Sequence, residues 1–176
     1  MNLYLRMLWL MLRSKSRGRL GVWDTARTPF RVAPTDLDVL RHMNNGKYLT
    51  LMDLGRVDLM VRSGFAKKVS AAGWYPVVAA QTISYRRSLK LWQRFELYSR
   101  VLGVDEKSTY LEQTFCVGET VYAKAVVRAR FLKKSGGTVS QEELEELIGG
   151  VPESVRLPDW VRDWSENASV RSTAQV

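Results

Sequence analysis

Between Asp36 and Gly46 the chain places two carboxylates, one imidazole and two side-chain amides, as Asp36, Asp38, His42, Asn44 and Asn45. Carboxylates and imidazoles are the groups that move protons, or attack a carbonyl, near neutral pH. A helical period starts where this polar run ends. Tyr48, Leu51, Met52, Gly55, Leu59 and Met60 fall on one face of a helix predicted over residues 45–63. The polar loop is therefore delivered onto a helix N-terminus. Unpaired N–H groups and a partial positive charge at that point can hold a carbonyl oxygen that becomes anionic during acyl transfer. A second reading stays open on the residues alone. Aspartate and asparagine before a helix also make Asx turns and caps, and the single histidine has an ordinary structural role available.

Other chemistries lack their residues. No glycine-rich loop that would cradle a phosphate precedes a helix, and there is no GxSxG nucleophile elbow. One histidine and one cysteine, Cys116, offer no metal set and no intrachain disulfide, so neither a metal nor a resident cofactor is expected.

The predicted helix must be positioned by the rest of the chain. Asn44 suits its N-cap and Gly64 its C′ position, and at 1.5 Å per residue it is about 28 Å long. Gly55 in its middle suggests a sheet that approaches closely. Beyond the helix the period changes to two. Strands are predicted at 76–88, 95–102, 109–117 and 120–132, joined as a meander of hairpins, with a short first strand at 30–33. In the last strand Val121, Ala123, Ala125, Val127, Ala129 and Phe131 share a core face. Tyr122, Lys124, Val126, Arg128 and Arg130 share a wetter one. The expected fold class is α+β, a curved antiparallel five-stranded sheet wrapped around one long central helix. A capped helix is expected at 140–148 and a short one at 158–166, with Trp160 and Trp164 packing back on the body.

Charge is unevenly spread. Of a net +9, residues 1–31 carry seven basic groups against one acid, while residues 140–168 carry two against eight. A basic body suits an anionic partner. Residues 1–12 are apolar except for Asn2 and Arg6, too short a run to span a bilayer. They read either as a helix packed on the domain or a dimer mate, or as an interfacial anchor whose basic run, through residue 19, meets an anionic membrane surface. Residues 18–29 read as a linker.

The block TDLDVLRHMNNGKYLTLMDLGR, with a downstream meander containing YRRSLKLWQRFEL, resembles the hot-dog-fold acyl thioesterases of the 4-hydroxybenzoyl-CoA thioesterase-like group. The resemblance spans residues 28–170, leaving 1–27 as an apolar and basic segment with its linker, and 171–176 as a tail. It implies hydrolysis of an acyl-CoA or acyl-carrier-protein thioester. Asp38 would be the catalytic general base or nucleophile, and the amides of Asn45 and Gly46 would polarise the carbonyl. His42 would be a catalytic partner, although Leu40 stands where related plant enzymes carry the asparagine of D-x-N-x-H. Tyr48, Arg86, Arg87 and Lys90 would bind substrate, with Arg128 and Arg130 as further phosphate partners. It also implies a homodimer or a tetramer of dimers, with the site between subunits. The location expected is cytoplasmic or peripheral on the cytoplasmic membrane face, without nucleic acid. The other reading is a non-catalytic acyl-binding or membrane-associated hot-dog scaffold.

Overall fold

The computed structural model describes residues 3–14 and 16–168, so Met1, Asn2, Lys15 and the expected tail at 171–176 lie outside the described residues. Five α-helices and five strands are formed within them: α1 (Leu3–Ser14), β1 (Ala26–Arg31), α2 (Asn45–Arg62), α3 (Phe65–Ala71), β2 (Trp74–Tyr85), β3 (Arg94–Val104), β4 (Thr109–Val117), β5 (Thr120–Lys133), α4 (Gln141–Ile148) and α5 (Asp159–Asn167). The sheet is antiparallel, in the order β1-β3-β4-β5-β2, and α2 packs on it. The expected α+β class and the single long helix against a five-stranded sheet are both present.

The connectivity corrects the predicted four-strand meander. Only β3, β4 and β5 succeed one another as hairpins, while β2 pairs with β5 on the far edge. Residues 86–93 make the difference. Gly118–Glu119 closes a two-residue hairpin, whereas the longer 86–93 stretch crosses one end of the sheet from its β2 edge to β3. The first strand also differs. It begins at Ala26, inside the expected linker, because its partner is β3 and its register runs from Ala26 opposite Ser99 to Arg31 opposite Arg94.

Helix α2 starts and stops as its residues dictate. The Asn44 side chain accepts from the Gly46 amide, and Gly64 takes a left-handed φ of 73° as the chain turns into α3. Its buried face is Tyr48, Leu51, Met52, Leu54, Gly55, Asp58 and Leu59. Gly55 is where the sheet comes closest. A Cβ there would lie 2.6 Å from Leu97 Cδ2, 2.8 Å from Ser99 Oγ and 3.0 Å from Gln113 Nε2. Alanine would gain about 1 kcal/mol of helix propensity, but overpacking a close-packed core costs about 1–3 kcal/mol. The clash is expected to win. Gly55→Ala should lower the urea midpoint without changing m, and a raised midpoint would show that the sheet yields freely.

The outer face of β5 is less wet than expected. Val126 and Arg128 are buried beneath α5, with Val161 and Trp164 packed against Leu102, Tyr110 and Val126. Trp160, expected to pack back, is 53% exposed, because Val161 and Ser165 occupy the inward positions of α5.

Helix α1 packs on α2 through a narrow stripe of Arg6, Leu10 and Ser14. Its other face leaves Tyr4, Leu5, Leu8, Trp9, Met11 and Leu12 exposed.

Candidate active site

The loop ahead of α2 folds into a small hairpin. Leu37 pairs with Met43, and the Asp38 amide donates to the His42 carbonyl at 2.9 Å. The half-buried Asp38 carboxylate holds the hairpin closed, with Oδ1 accepting from the amides of Leu40 (2.9 Å) and His42 (3.2 Å). This is an Asx-type turn, the structural role that aspartate takes before a helix. It occupies one oxygen only. Among the described residues Asp38 Oδ2 has no hydrogen-bond partner.

The hairpin is anchored at both ends. The buried Asp36 carboxylate accepts from the Ala33 amide at 2.8 Å and forms a buried ion pair with Arg6 of α1. The Met43 amide donates to Leu89 (2.9 Å), and His42 pairs with Lys90. The crossing segment 86–93 therefore lies against the Asp38 hairpin and brings the exposed Lys90 beside His42, with the exposed Arg86 and Arg87 on the same segment. Arg41 (φ 63°) and Trp92 (φ 63°) are the non-glycine residues with left-handed backbone among those described, one in each of these two segments. Such backbone persists where the surrounding contacts over-determine it, and it concentrates at functional sites.

Three expectations change here. The Gly46 amide is occupied, donating to Asn44 Oδ1 at 2.8 Å as part of the cap. Among the described residues this leaves the exposed Asn45 amide without a partner at the helix start. His42 meets Asp38 through its backbone, and no hydrogen bond joins its imidazole to the Asp38 carboxylate. Tyr48 is 2% exposed, with its ring against Tyr85 and Phe115 and its hydroxyl accepting from the Leu89 amide at 3.3 Å. Burial raises its pKa. It anchors the core beneath the crossing segment and presents nothing to a substrate.

Arg128 and Arg130 lie elsewhere. Arg128 is buried and donates to the Ser165 carbonyl and hydroxyl at 2.7 and 2.8 Å. Arg130 reaches Ser108 at the β3–β4 turn, the end of the sheet opposite the Asp38 hairpin.

The sequence did not disclose an apolar cavity of about 210 Å³ between the C-terminal half of α2 and the sheet. Leu59, Met60, Val77, Val101, Leu111 and Phe131 line it, and Asp53 and Arg56 also border it. Arg56 donates to Gln113 Oε1 at 2.6 Å and pairs with Asp53, and burial lowers its pKa despite that pairing. None of the lining residues belongs to the Asp38 hairpin. The first of them on α2, Asp53, lies eight residues beyond Asn45, about 12 Å along the axis.

A family model described as the thioesterase-like superfamily matches residues 32–165. Protein THEM6 of Xenopus laevis is 36% identical over 133 residues, covering 76% of this chain and 63% of that protein. Protein THEM6 of Danio rerio is 36% identical over 155 residues, covering 86% and 69% respectively. The chain thus spans about two thirds of the length of these relatives. The crystal structure of YbaW from Escherichia coli, described as a probable thioesterase, superposes with a TM-score of 0.66 at 27% identity, over 69% of this chain and 95% of that one. Both the family and the E. coli protein carry the name of thioester hydrolysis. With its matched block running from just after β1 through the Asp38 hairpin, α2 and strands β2 to β5 into α5, the chain belongs to the thioesterase-like superfamily of hot-dog proteins.

Proposed function

We propose that this protein hydrolyses an acyl thioester carried on coenzyme A or an acyl carrier protein. Asp38 acts as general base or nucleophile, and the Asn45 amide polarises the thioester carbonyl. The observation that carries the reading is the pairing of a fixed carboxylate, with Oδ2 unengaged, and an unengaged amide at the start of α2. Oδ1 is held by two amides, so the carboxylate is oriented before substrate arrives, and a water or carbonyl carbon can approach the other oxygen. The helix dipole and the Asn45 amide act where negative charge develops on the carbonyl oxygen. Lys90, Arg86 and Arg87 supply positive charge beside the hairpin for the phosphates of coenzyme A or of a carrier's prosthetic arm. The acyl group occupies the cavity between α2 and the sheet.

The hairpin and the cavity lie at different levels of α2 on one chain, and we assign their union to a second copy. Among the described residues the β2 edge is unpaired and leaves Tyr75 and Val78 exposed, so it can join its counterpart in a two-fold pair. The test of the reading is a panel of acyl-CoA and acyl-carrier substrates with purified protein beside Asp38→Asn. Turnover on some chain length, lost in the variant, supports it; no turnover on any member overturns it.

A second reading is favoured by one observation. The exposed apolar face of α1, with Arg13 stacked on Trp9 at 4.5 Å, fits an anionic membrane surface. No helix among the described residues is long and apolar enough to cross a membrane. Leu8→Glu and Leu12→Glu alter that face and leave Arg6 and Leu10 in place. Together they are expected to abolish flotation with vesicles containing phosphatidylserine. Equal flotation of variant and parent, or flotation of neither, would remove the membrane from the account.

A further inference from the structure

We infer that the acyl group reaches the Asp38 site on an acidic acyl carrier protein, which docks on two apolar turn tips, Val39–Leu40 and Leu91–Trp92, set among basic side chains. The inference deepens the acyl-thioesterase reading above and rests on it for the reaction. The docking surface stands on separate observations.

Both tips leave one ladder side by side. His42 pairs antiparallel with Lys90, and the Met43 amide donates to the Leu89 carbonyl. Stepping back from His42 to Arg41 and on from Lys90 to Leu91 therefore runs the same way out of the ladder, about one strand spacing (~5 Å) apart. Each segment then closes a four-residue turn. The Arg41 amide donates to the Asp38 carbonyl at 3.0 Å, with Val39 and Leu40 at the corners. The Gln93 amide donates to the Lys90 carbonyl at 3.0 Å, with Leu91 and Trp92 at the corners.

Turn corners ordinarily carry Gly, Pro, Asn, Asp or Ser. Here the corner residues are apolar and exposed, Val39 at 97%, Leu40 at 71%, Leu91 at 38% and Trp92 at 52%. Trp92 also holds φ at 63°, where glycine or asparagine is the default and a bulky side chain is an outlier. Apolar corners left in water, one of them strained, go against local preference, and such departures are kept where a partner uses them. Trp and Arg are enriched among the side chains that carry protein–protein binding energy, and Arg31 stacks on Trp92 at 5.2 Å.

Charge selects the partner. Arg31, Arg41, Lys90 and Arg94 are exposed around the tips, and Arg41, Lys90 and Arg94 have no ion-pair partner among the described residues. The acids nearby are turned inward: Asp36 is buried against Arg6, and Asp38 is half-buried in its own turn. Residues 86–94 hold no acid. The tips therefore fit an acidic surface with apolar contacts of its own. Coenzyme A meets the basic groups but has no apolar surface for both tips. An anionic bilayer offers both chemistries and fails on geometry. In the two-fold pair assigned above, with both copies of α2 on one face of the joined sheet, the β2 strands run antiparallel and the tips lie at opposite ends. One flat surface cannot meet both, whereas one carrier can dock at each site and lead its phosphopantetheine arm to Asp38.

Holo-carrier, whose arm ends in a free thiol, lets binding be read apart from turnover. Purified holo acyl carrier protein of Escherichia coli and coenzyme A, which bears the same arm, are titrated calorimetrically against the full chain and two double variants. One is Leu91→Ser with Trp92→Asn; the other is Val39→Ser with Leu40→Ser. Asparagine accepts the left-handed backbone at position 92, so the Tm of the first variant should not fall. The carrier should bind the parent about tenfold more tightly than coenzyme A does, and each double variant should lose about tenfold for the carrier and nothing for coenzyme A. No carrier binding, or variants that lose coenzyme A equally, would overturn the inference. Variants that keep the carrier and lose flotation with phosphatidylserine vesicles would overturn it in favour of a membrane. Hydrolysis of acyl-CoA without a carrier preference would sink this inference alone, and the preference without hydrolysis would sink only the thioesterase reading.

Discussion

Asp38→Asn is expected to lower kcat for thioester hydrolysis by about 10²- to 10⁴-fold, the range over which a positioned acid–base group acts. The substitution isolates chemistry from structure. An asparagine oxygen can still accept from the Leu40 and His42 amides, so the hairpin and the helix start keep their geometry. What disappears is the negative oxygen now without a partner. KM should change little, because the charges assigned to the phosphates lie on the 86–93 segment. Steady-state kinetics on the best substrate of the acyl panel, with melting curves for both proteins, makes the measurement. A variant within about tenfold of the parent would remove Asp38 from the chemistry. His42→Gln is the companion. Because His42 meets Asp38 through its backbone, its kcat should stay within about tenfold of the parent. A loss matching Asp38→Asn would show that the imidazole swings in when substrate binds.

Asp58→Ala is the substitution expected to cost most in stability, about 3–5 kcal/mol. Asp58 is fully buried on α2, and donors from Arg17, Thr28 and Arg62 converge on its carboxylate. Arg17 reaches it at 3.0 and 3.1 Å, Thr28 at 2.8 Å, and Arg62, one turn further along the helix, at 3.4 Å. Removing the carboxylate strands two partly desolvated guanidinium groups and a buried hydroxyl together. For a chain of this length such a loss lowers Tm by about 10 °C. Asp58→Asn keeps one acceptor oxygen and should fall between parent and alanine. A change below about 1 kcal/mol in Asp58→Ala would mean that the arginines turn out to water without cost. The same cluster ties the segment around Arg17 and strand β1 to the central helix, which is why the chain from residue 16 to 31 belongs to the folded body.

Local periods set much of this molecule. The 3.6 period and the Asn44 cap fix α2 to within a residue of its observed ends, because a helix satisfies its backbone internally and its limits are written in neighbouring residues. Strand β4 and the Gly118–Glu119 hairpin were legible for the same local reason, as was the capping box of α4, made by Ser140 and Glu143. The block from Asp36 to Gly46 was legible as a candidate site through its residue types and its place before a helix.

The order of the strands is decided at longer range. Both β3 and β5 can pair with β2, and a period of two marks a strand without naming its neighbour. Packing puts β2 beside β5, which turns residues 86–93 into a crossing that brings Lys90 to His42. Tyr48 shows the same division. Its helical position marks it for one face, but only the arrival of Tyr85 and Phe115 makes it a core residue instead of a substrate contact. Asp36 and Asp58 read as ordinary polar residues until Arg6 and Arg17, thirty and forty-one positions away, close on them. The cavity exists only between elements. The sequence alone thus determined the helix, its cap and the carboxylate placed before it. Tertiary structure decided which amide stays free and where the cavity lies, because each depends on groups far apart in the chain meeting without water.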